Sequence, residues 1–260
     1  MNGRVYLVGA GPGDPELLTV KALRLLQTAD VVLHDDLVAP EILRLIPSTA
    51  RVQNVGKRCG TKTMRQEEIN FLMVTLAASG LQVMRLKSGD PLIFGRAGEE
   101  MEALRRANVA YEIVPGVTSA LGAAAATGIP LTHRQTSSTI VLSAGRRASE
   151  NSDAEGSQFA GSESTLVVYM PGRDYAGIAS KLTASGFAAE TPCAIISRAT
   201  TPHQQVHLTT ISNLQHSPQL AAPTLLVVGE VVRFADHAEE NFSANSELPT
   251  SSARQEERLA

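Results

Sequence analysis

Short apolar runs alternate with stretches of helical periodicity in the first part of the chain. Four short β-favouring segments predict strands, at residues 5–8, 31–33, 83–86 and 111–114, and the first of them is expected to be buried. Between the first two runs, apolar residues recur at helical spacing after Asp14, which can cap a helix that Pro15 opens. Further helices are predicted at residues 40–46, 66–79 and 99–107. This alternation is typical of βαβ units and predicts a parallel sheet.

A second series of elements follows the Pro115-Gly116 turn. It begins with a predicted helix at 117–126, and predicted strands follow near residues 139–142, 165–169, 193–197, 206–209 and 224–228. The fold class is therefore α/β, with one α/β domain at 1–116 and another at 117–235. The segments 146–164 and 236–260 are polar and without periodicity, which predicts a loose loop and a disordered tail.

Composition restricts the kinds of partner that the chain can have. Of the 260 residues, 43% are hydrophobic and 19% charged, which indicates a globular chain. The net charge of −3, with no Trp, 4 Tyr and 6 Phe, argues against nucleic acid as a main partner. With Cys59 and Cys193 alone, neither a disulfide framework nor a structural zinc site is expected, and a reducing, cytoplasmic compartment fits. We expect neither a signal peptide nor a membrane anchor.

A glycine turn, GAGPGD at residues 9–14, joins the first predicted strand to the first predicted helix. A dinucleotide-binding turn needs a glycine where this chain has Asp14, and a carboxylate at that helix N-terminus would repel a pyrophosphate. A nicotinamide-dependent oxidoreductase is therefore the weaker hypothesis. The turn better suits a ligand without a phosphate that lies against the backbone, such as S-adenosylmethionine.

Two long motifs carry a resemblance to a known family. VYLVGAGPGDPELLTVKAL and RLKSGDPLIFGRAGEE resemble the tetrapyrrole methylases. With later segments, among them GIPLTHR and PTLLVVGEVV, the resemblance extends in register over about residues 4–233 and, within the family, is to the uroporphyrinogen-III C-methyltransferases. The resemblance implies two α/β domains of the class III methyltransferase type, a cofactor cleft between them and a homodimer. It also implies that S-adenosylmethionine methylates uroporphyrinogen III at C2 and C7, giving precorrin-2 via precorrin-1 and the product S-adenosylhomocysteine.

The resemblance further implies roles for individual residues. Asp35 matches the family's proton acceptor and Lys57 its proton donor, and no metal is needed because the sulfonium already activates the methyl group. The residues implied for the polycarboxylate substrate are Arg58, Arg96, Glu99 and Arg134. Those implied for the cofactor are Pro12, Ser88, Gly89, Asp90, Ile93, Thr118, Ser119, Met170 and Ala199. Asp90 is expected to bind a polar group of the cofactor.

The chain departs from the family pattern at several positions of the implied site. Ser88 and Ala199 stand where glycine is usual, and Asp36 stands where an arginine commonly follows the catalytic aspartate. Two alternatives therefore stay open: a methylase of another corrin or porphyrinoid intermediate, and a cofactor-binding paralogue with weakened catalysis. Because the methylase pattern begins at residue 4, we expect methylation without the dehydrogenase and ferrochelatase activities of the siroheme enzymes. Siroheme and cobalamin both remain open as the downstream product.

Overall fold

The first of two five-stranded sheets is entirely parallel. The computed structural model describes residues 3–56, 64–145 and 163–237. The strands of the first sheet are β1 (Arg4–Gly9), β2 (Val31–His34), β3 (Arg51–Asn54), β4 (Gln82–Lys87) and β5 (Tyr111–Val114), in the order β3-β2-β4-β1-β5. Its helices are α1 (Val20–Leu26), α2 (Pro40–Leu43), α3 (Gln66–Ala78) and α4 (Ala97–Arg106). β4 is the central strand, and five of its six residues are buried.

The second sheet is mixed. Its strands are β6 (Thr139–Ala144), β7 (Ser164–Tyr169), β8 (Pro192–Ser197), β9 (Gln205–Thr210) and β10 (Thr224–Val228), in the order β6-β7-β10-β8-β9. Only the β6–β7 pair among these is parallel, and the other neighbours are antiparallel. The helices of this unit are α5 (Ser119–Thr127), α6 (Tyr175–Ala184) and two 3-10 helices, at Leu214–His216 and Glu230–His237.

Both sheets bury apolar side chains on both faces. In β1, Val5 and Leu7 pack with α3 and α4, whereas Val8 packs on the opposite face with α1 and α2. In β10, Leu225 and Leu226 likewise belong to the cores on opposite faces of the second sheet. A fully buried Leu or Val contributes about 1.5–3 kcal/mol. Each sheet is thus a rigid platform for the loops at its strand ends.

The structure confirms most of the predicted elements and corrects some. The single helix predicted after Asp14 is divided, because Asp14 caps a 3-10 turn (Pro15–Leu17) and α1 starts separately with Thr19 as its cap. The Asp14 carboxylate accepts a hydrogen bond from the Glu16 amide (2.9 Å), and the Thr19 hydroxyl accepts one from the Ala22 amide (3.1 Å). The sequence analysis also missed β3 and α6.

The predicted loop and tail fall largely outside the described residues, which exclude 146–162 and 238–260. Residues 236 and 237, assigned to the tail, instead complete the last 3-10 helix, and Ser164 begins β7. The predicted domain boundary at 116 falls between the end of β5 and the start of α5. In the described ranges, no helix combines the length and the apolar character needed to cross a membrane.

Candidate functional site

A cleft of about 890 Å³ lies between the two sheets. Its first wall is formed by residues after β1, β2 and β4, where an α/β sheet presents loops at the carboxyl ends of its strands. Its second wall is formed by the end of β7, the residues after β8 and the start of β10. Because the walls come from different sheets, a ligand in the cleft would contact both units of the chain.

Glycines let three backbone segments meet beside this cleft. A Cβ on Gly9 would lie 2.6 Å from the Cα of Gly116 and 2.6 Å from the carbonyl oxygen of Gly89, which no real side chain tolerates. The turns after β1 and β4 are further joined through Gly11 and Gly89, both with positive φ. The glycines therefore bring backbone, rather than side chains, to the edge of the cleft.

Every residue that the resemblance implies for the cofactor lines this one cleft. They are Pro12, Ser88, Gly89, Asp90, Ile93, Thr118, Ser119, Met170 and Ala199. The Asp90 carboxylate accepts hydrogen bonds from the Leu92 amide (2.8 Å) and the Gly116 amide (3.1 Å). Asp90 therefore ties the turn after β4 to the segment between the two units, a bracing role that the sequence did not indicate.

Tyr169, which the sequence analysis did not single out, organises the second wall of the cleft. Its hydroxyl lies 2.6 Å from the Thr118 hydroxyl and accepts a hydrogen bond from the Ala120 amide (3.1 Å) at the start of α5. Its ring packs against Phe94 with the ring centroids 4.9 Å apart. Tyr169 thereby fixes Thr118 and connects it to the turn that precedes α4.

Asp35, the predicted proton acceptor, lies at the cleft directly after β2 and contacts Arg85 of the neighbouring strand β4. Arg85 also donates through Nε to Glu100 Oε1 (2.9 Å), and the Lys87 ammonium donates to the same oxygen (3.0 Å). The side chains of Arg85 and Lys87 are 3% exposed and that of Glu100 is 0% exposed, whereas Asp35 is 31% exposed. The partly exposed carboxylate thus rests on a buried network of charges.

The network shifts the pKa values of its cations in opposite directions. Burial alone would lower the pKa of Arg85, but attraction by Asp35 and Glu100 and the hydrogen bonds to both outweigh burial and raise it. For Lys87, burial and the neighbouring Arg85 charge lower the pKa, although Glu100 and Asp35 oppose that shift. The two carboxylates thus favour the charged form of Arg85, whereas burial disfavours the charged form of Lys87.

A sequence signal for this network exists. Arg85 and Lys87 are two residues apart on a central strand whose other buried residues are apolar, so their side chains point to the same face. Two cations on one face of a buried strand require buried anions nearby. Glu100, in the GEE sequence that opens α4, supplies one of them.

The substrate residues implied by the resemblance are only partly brought together. Arg96 lines the cleft, and its guanidinium donates to both carboxylate oxygens of Glu99 (2.8 and 2.7 Å). That hydrogen-bonded pair lowers the pKa of Glu99. Arg134 is exposed and lies outside the cleft lining. Lys57 and Arg58 lie outside the described residues.

The departure at Asp36 places an anion at the cleft. Asp36 lines the cleft next to Asp35, and its Oδ1 accepts a hydrogen bond from the side-chain Nδ2 of Asn54 at the end of β3 (3.1 Å). Ser88 and Ala199 line the cleft as well. Asp36 therefore adds negative charge where the resemblance implies a polyanionic substrate.

Backbone strain is concentrated around the cleft. Of the described non-glycine residues with positive φ, four line it, namely Phe94, Arg96, Met170 and Arg198. Such conformations persist only where the surrounding structure enforces them, and they are frequent at ligand sites. Within the described ranges, no three His, Cys, Asp or Glu side chains are grouped so that they could hold a metal ion.

Comparison with known proteins agrees with this architecture. The family sequence model of the tetrapyrrole (corrin/porphyrin) methylases matches residues 4–215. The chain belongs to this family. A crystal structure of uroporphyrin-III C-methyltransferase from Thermus thermophilus is similar to this methylase with a TM-score of 0.77 and 43% identity, over 91% of this chain and 96% of that one.

Further relatives include a protein about twice as long and other methyltransferases. Siroheme synthase from Hahella chejuensis is 46% identical over 237 residues, which are 90% of this methylase and 50% of that protein. This methylase thus spans about half the length of the curated relatives that it matches. A structure of cobalt precorrin-4 methyltransferase is 30% identical, with a TM-score of 0.76 over 88% of this chain and 95% of that one. A Thermus thermophilus uroporphyrin-III C-methyltransferase complexed with S-adenosylhomocysteine is 40% identical, with a TM-score of 0.76 over 88% of this chain and 93% of that one.

Proposed function

We propose that this tetrapyrrole methylase transfers methyl groups from S-adenosylmethionine to C2 and C7 of uroporphyrinogen III, giving precorrin-2 via precorrin-1. The observation that carries the proposal is the cleft itself, because all nine residues implied for the cofactor line one cavity together with Asp35 and Arg96. The similarity to the Thermus enzyme, which extends over almost all of that chain, supports the same substrate.

The residues of the cleft suit S-adenosylmethionine. The volume of about 890 Å³ is in the usual range for a small-molecule site, roughly 300–1,000 Å³. Hydroxyls of Ser88, Thr118 and Ser119 would serve the ribose and amino-acid parts, and Ile93 and Met170 offer apolar contacts. The carboxylate of Asp90 at the cleft would repel a phosphate, so it suits a ligand that has none. When bound, this cofactor supplies a methyl group that its sulfonium activates.

The chain's own residues have to bind the polycarboxylate and remove a proton. Asp35 is the base at the cleft. Methyl transfer leaves the methylated carbon quaternary and the ring cationic, and Asp35 takes the proton that another position of the ring must release to become neutral. The Arg96 guanidinium binds a substrate carboxylate, with Glu99 holding it in place. Binding and orientation supply the remaining acceleration, since the reacting carbon is already electron-rich.

The proposal is tested by anaerobic incubation of the purified chain with uroporphyrinogen III and S-adenosylmethionine, followed by mass spectrometry of the oxidised products. Gain of two methyl groups supports it. Binding of S-adenosylhomocysteine without methyl transfer would favour a paralogue with lost catalysis, and transfer only to another tetrapyrrole would change the substrate. The homodimer remains a prediction from the resemblance, and the cytoplasmic location remains a prediction from the cysteine content.

A further inference from the structure

The guanidinium of Arg85 is fixed on every side. Nε donates to Glu100, and Nη1 donates to the carbonyl oxygens of Leu33 (3.3 Å) and Leu86 (3.4 Å). Nη2 donates to Asp35 Oδ1. Because each nitrogen has a partner and the side chain is buried, Arg85 is a rigid link between Asp35 at the cleft and Glu100 in the interior.

Glu100 is held as firmly as Arg85. Its Oε1 accepts hydrogen bonds from Arg85 (2.9 Å), Lys87 (3.0 Å) and Gln66 (3.4 Å). Its Oε2 is buried and has no hydrogen-bond partner among the described residues. The negative charge of a fully buried carboxylate is therefore directed at two cations of β4.

Stability alone is a poor explanation for this arrangement. Burying charged groups costs several kcal/mol per ion before pairing, and well-packed apolar residues often replace a buried ion pair without loss of stability. The network does fix the orientation of the Asp35 side chain. Asp35 lies after the end of β2, is 31% exposed and would otherwise exchange its partner for water.

We propose that Glu100 is a positioning residue for Asp35, and that it acts through Arg85. The inference rests on the proposed function, in which Asp35 is the base. Glu100 balances the second buried cation, Lys87, so that Arg85 can direct its remaining nitrogen to Asp35. Without the Glu100 charge, two buried cations face a single carboxylate, and both the direction of Arg85 and the orientation of Asp35 are lost.

The test combines three substitutions. Glu100→Gln removes the charge with little change in shape, and Arg85→Lys keeps the charge but cannot bridge two carboxylates. Each is made alone and together with Asp35→Asn. Two controls accompany them: Glu102→Gln, which breaks an exposed ion pair on the same helix, and Leu182→Ala, which destabilises the core of the second sheet away from the cleft.

Glu100→Gln and Arg85→Lys are each expected to lower kcat by about 10- to 100-fold, as misplaced groups do. The KM for uroporphyrinogen III and the Kd for S-adenosylhomocysteine should stay within about twofold. In the Asp35→Asn background, the further loss in kcat should be less than about twofold, because residues that act as a unit are not additive. Glu102→Gln should retain wild-type kcat. Leu182→Ala should lower the Tm without a kcat loss that depends on Asp35.

Equal losses with and without Asp35 would overturn the inference, as would an unchanged kcat or a loss confined to KM and Kd. Should Glu100→Gln fail to fold, Arg85→Lys decides by the same criteria. Should the wild type transfer no methyl group, the proposed function fails. Crystal structures of the two single variants then decide whether Glu100 and Arg85 position Asp35. Displacement of Asp35 in either variant supports it, and an unmoved Asp35 in both contradicts it.

Discussion

Gly11 and Gly89 exchange two backbone hydrogen bonds: the Gly11 amide donates to the Gly89 carbonyl oxygen (3.1 Å), and the Gly89 amide donates to the Gly11 carbonyl oxygen (2.8 Å). The pair joins the turn after β1 to the turn after β4, although 78 positions separate the two residues in sequence. Both glycines have positive φ, +73° and +67°. The edge of the cleft therefore depends on a conformation that other residues adopt at a cost.

Gly89→Ala should weaken S-adenosylhomocysteine binding, since it strains this pair. The left-handed conformation costs an L-residue about 1–2 kcal/mol, and the new Cβ would lie 3.5 Å from the Ser119 hydroxyl, inside the proposed cofactor site. Gly186→Ala is the matched control, because Gly186 has φ +90° and nothing within 4 Å of an added Cβ. Both variants should lose similar unfolding free energy, but only Gly89→Ala should lose affinity by calorimetry. Equal affinities would remove Gly89 from the cofactor site.

Asp35→Asn should abolish most turnover and spare the cofactor. Losing the proton acceptor should lower kcat by about 10²- to 10⁴-fold, while the Kd for S-adenosylhomocysteine should remain nearly unchanged. Asp30→Asn, just before the opposite end of β2, is the control; its carboxylate accepts a hydrogen bond from the Gln82 amide (2.7 Å), which an asparagine can still accept. Unaltered turnover in Asp35→Asn would exclude Asp35 from the mechanism.

Asp36→Arg should improve binding of the polycarboxylate substrate. Asp36 places an anion at the cleft, held by Asn54, and the substitution replaces it with a cation. We expect the KM for uroporphyrinogen III to fall by up to about fivefold, because an exposed ion pair contributes about 0.2–1 kcal/mol. The gain should shrink in high salt. Glu102→Arg makes the same charge change on α4, outside the cleft; an equal gain there would attribute the effect to net charge.

Cys193 should make the protein less stable at high pH. Burial in β8 raises the pKa of its thiol from 9.0 to about 12. Between these values the unfolded chain loses the thiol proton and the folded chain keeps it, so stability is full below pH 9 and declines as the pH rises toward 12. From pH 8 to 10 this loss is about 1.4 kcal/mol. Denaturant unfolding of wild type and Cys193→Ala at both pH values measures it, and identical pH dependence in the two proteins would contradict it.

Most helices and strands could be predicted because the spacing of apolar residues in the sequence matches the positions that each element buries. β2 and β4 are short strands whose apolar residues are buried, and both were predicted. β3 was missed because it is a short edge strand whose RVQN sequence is mostly exposed, so it carries no alternation. α6 does carry a signal, since Tyr175, Ile178 and Leu182 are buried at helical spacing.

The pairing of distant side chains was not predictable from local pattern. Asp35 meets Arg85 only because β2 and β4 are neighbours in the sheet, an order that periodicity does not determine. Glu100 reaches the same arginine because α4 packs over that face. The resemblance supplied Asp35 and the cofactor residues, whereas the buried network below them required the fold.

The position of the transferred methyl groups gives the most direct test of the proposed reaction. Anaerobic incubation of the chain with uroporphyrinogen III and S-adenosylmethionine carrying a ¹³C-methyl group allows the product to be examined by NMR. Labelled methyl groups at C2 and C7 are the predicted result. Unlabelled uroporphyrinogen III, recovered from a chain that binds S-adenosylhomocysteine, would contradict it.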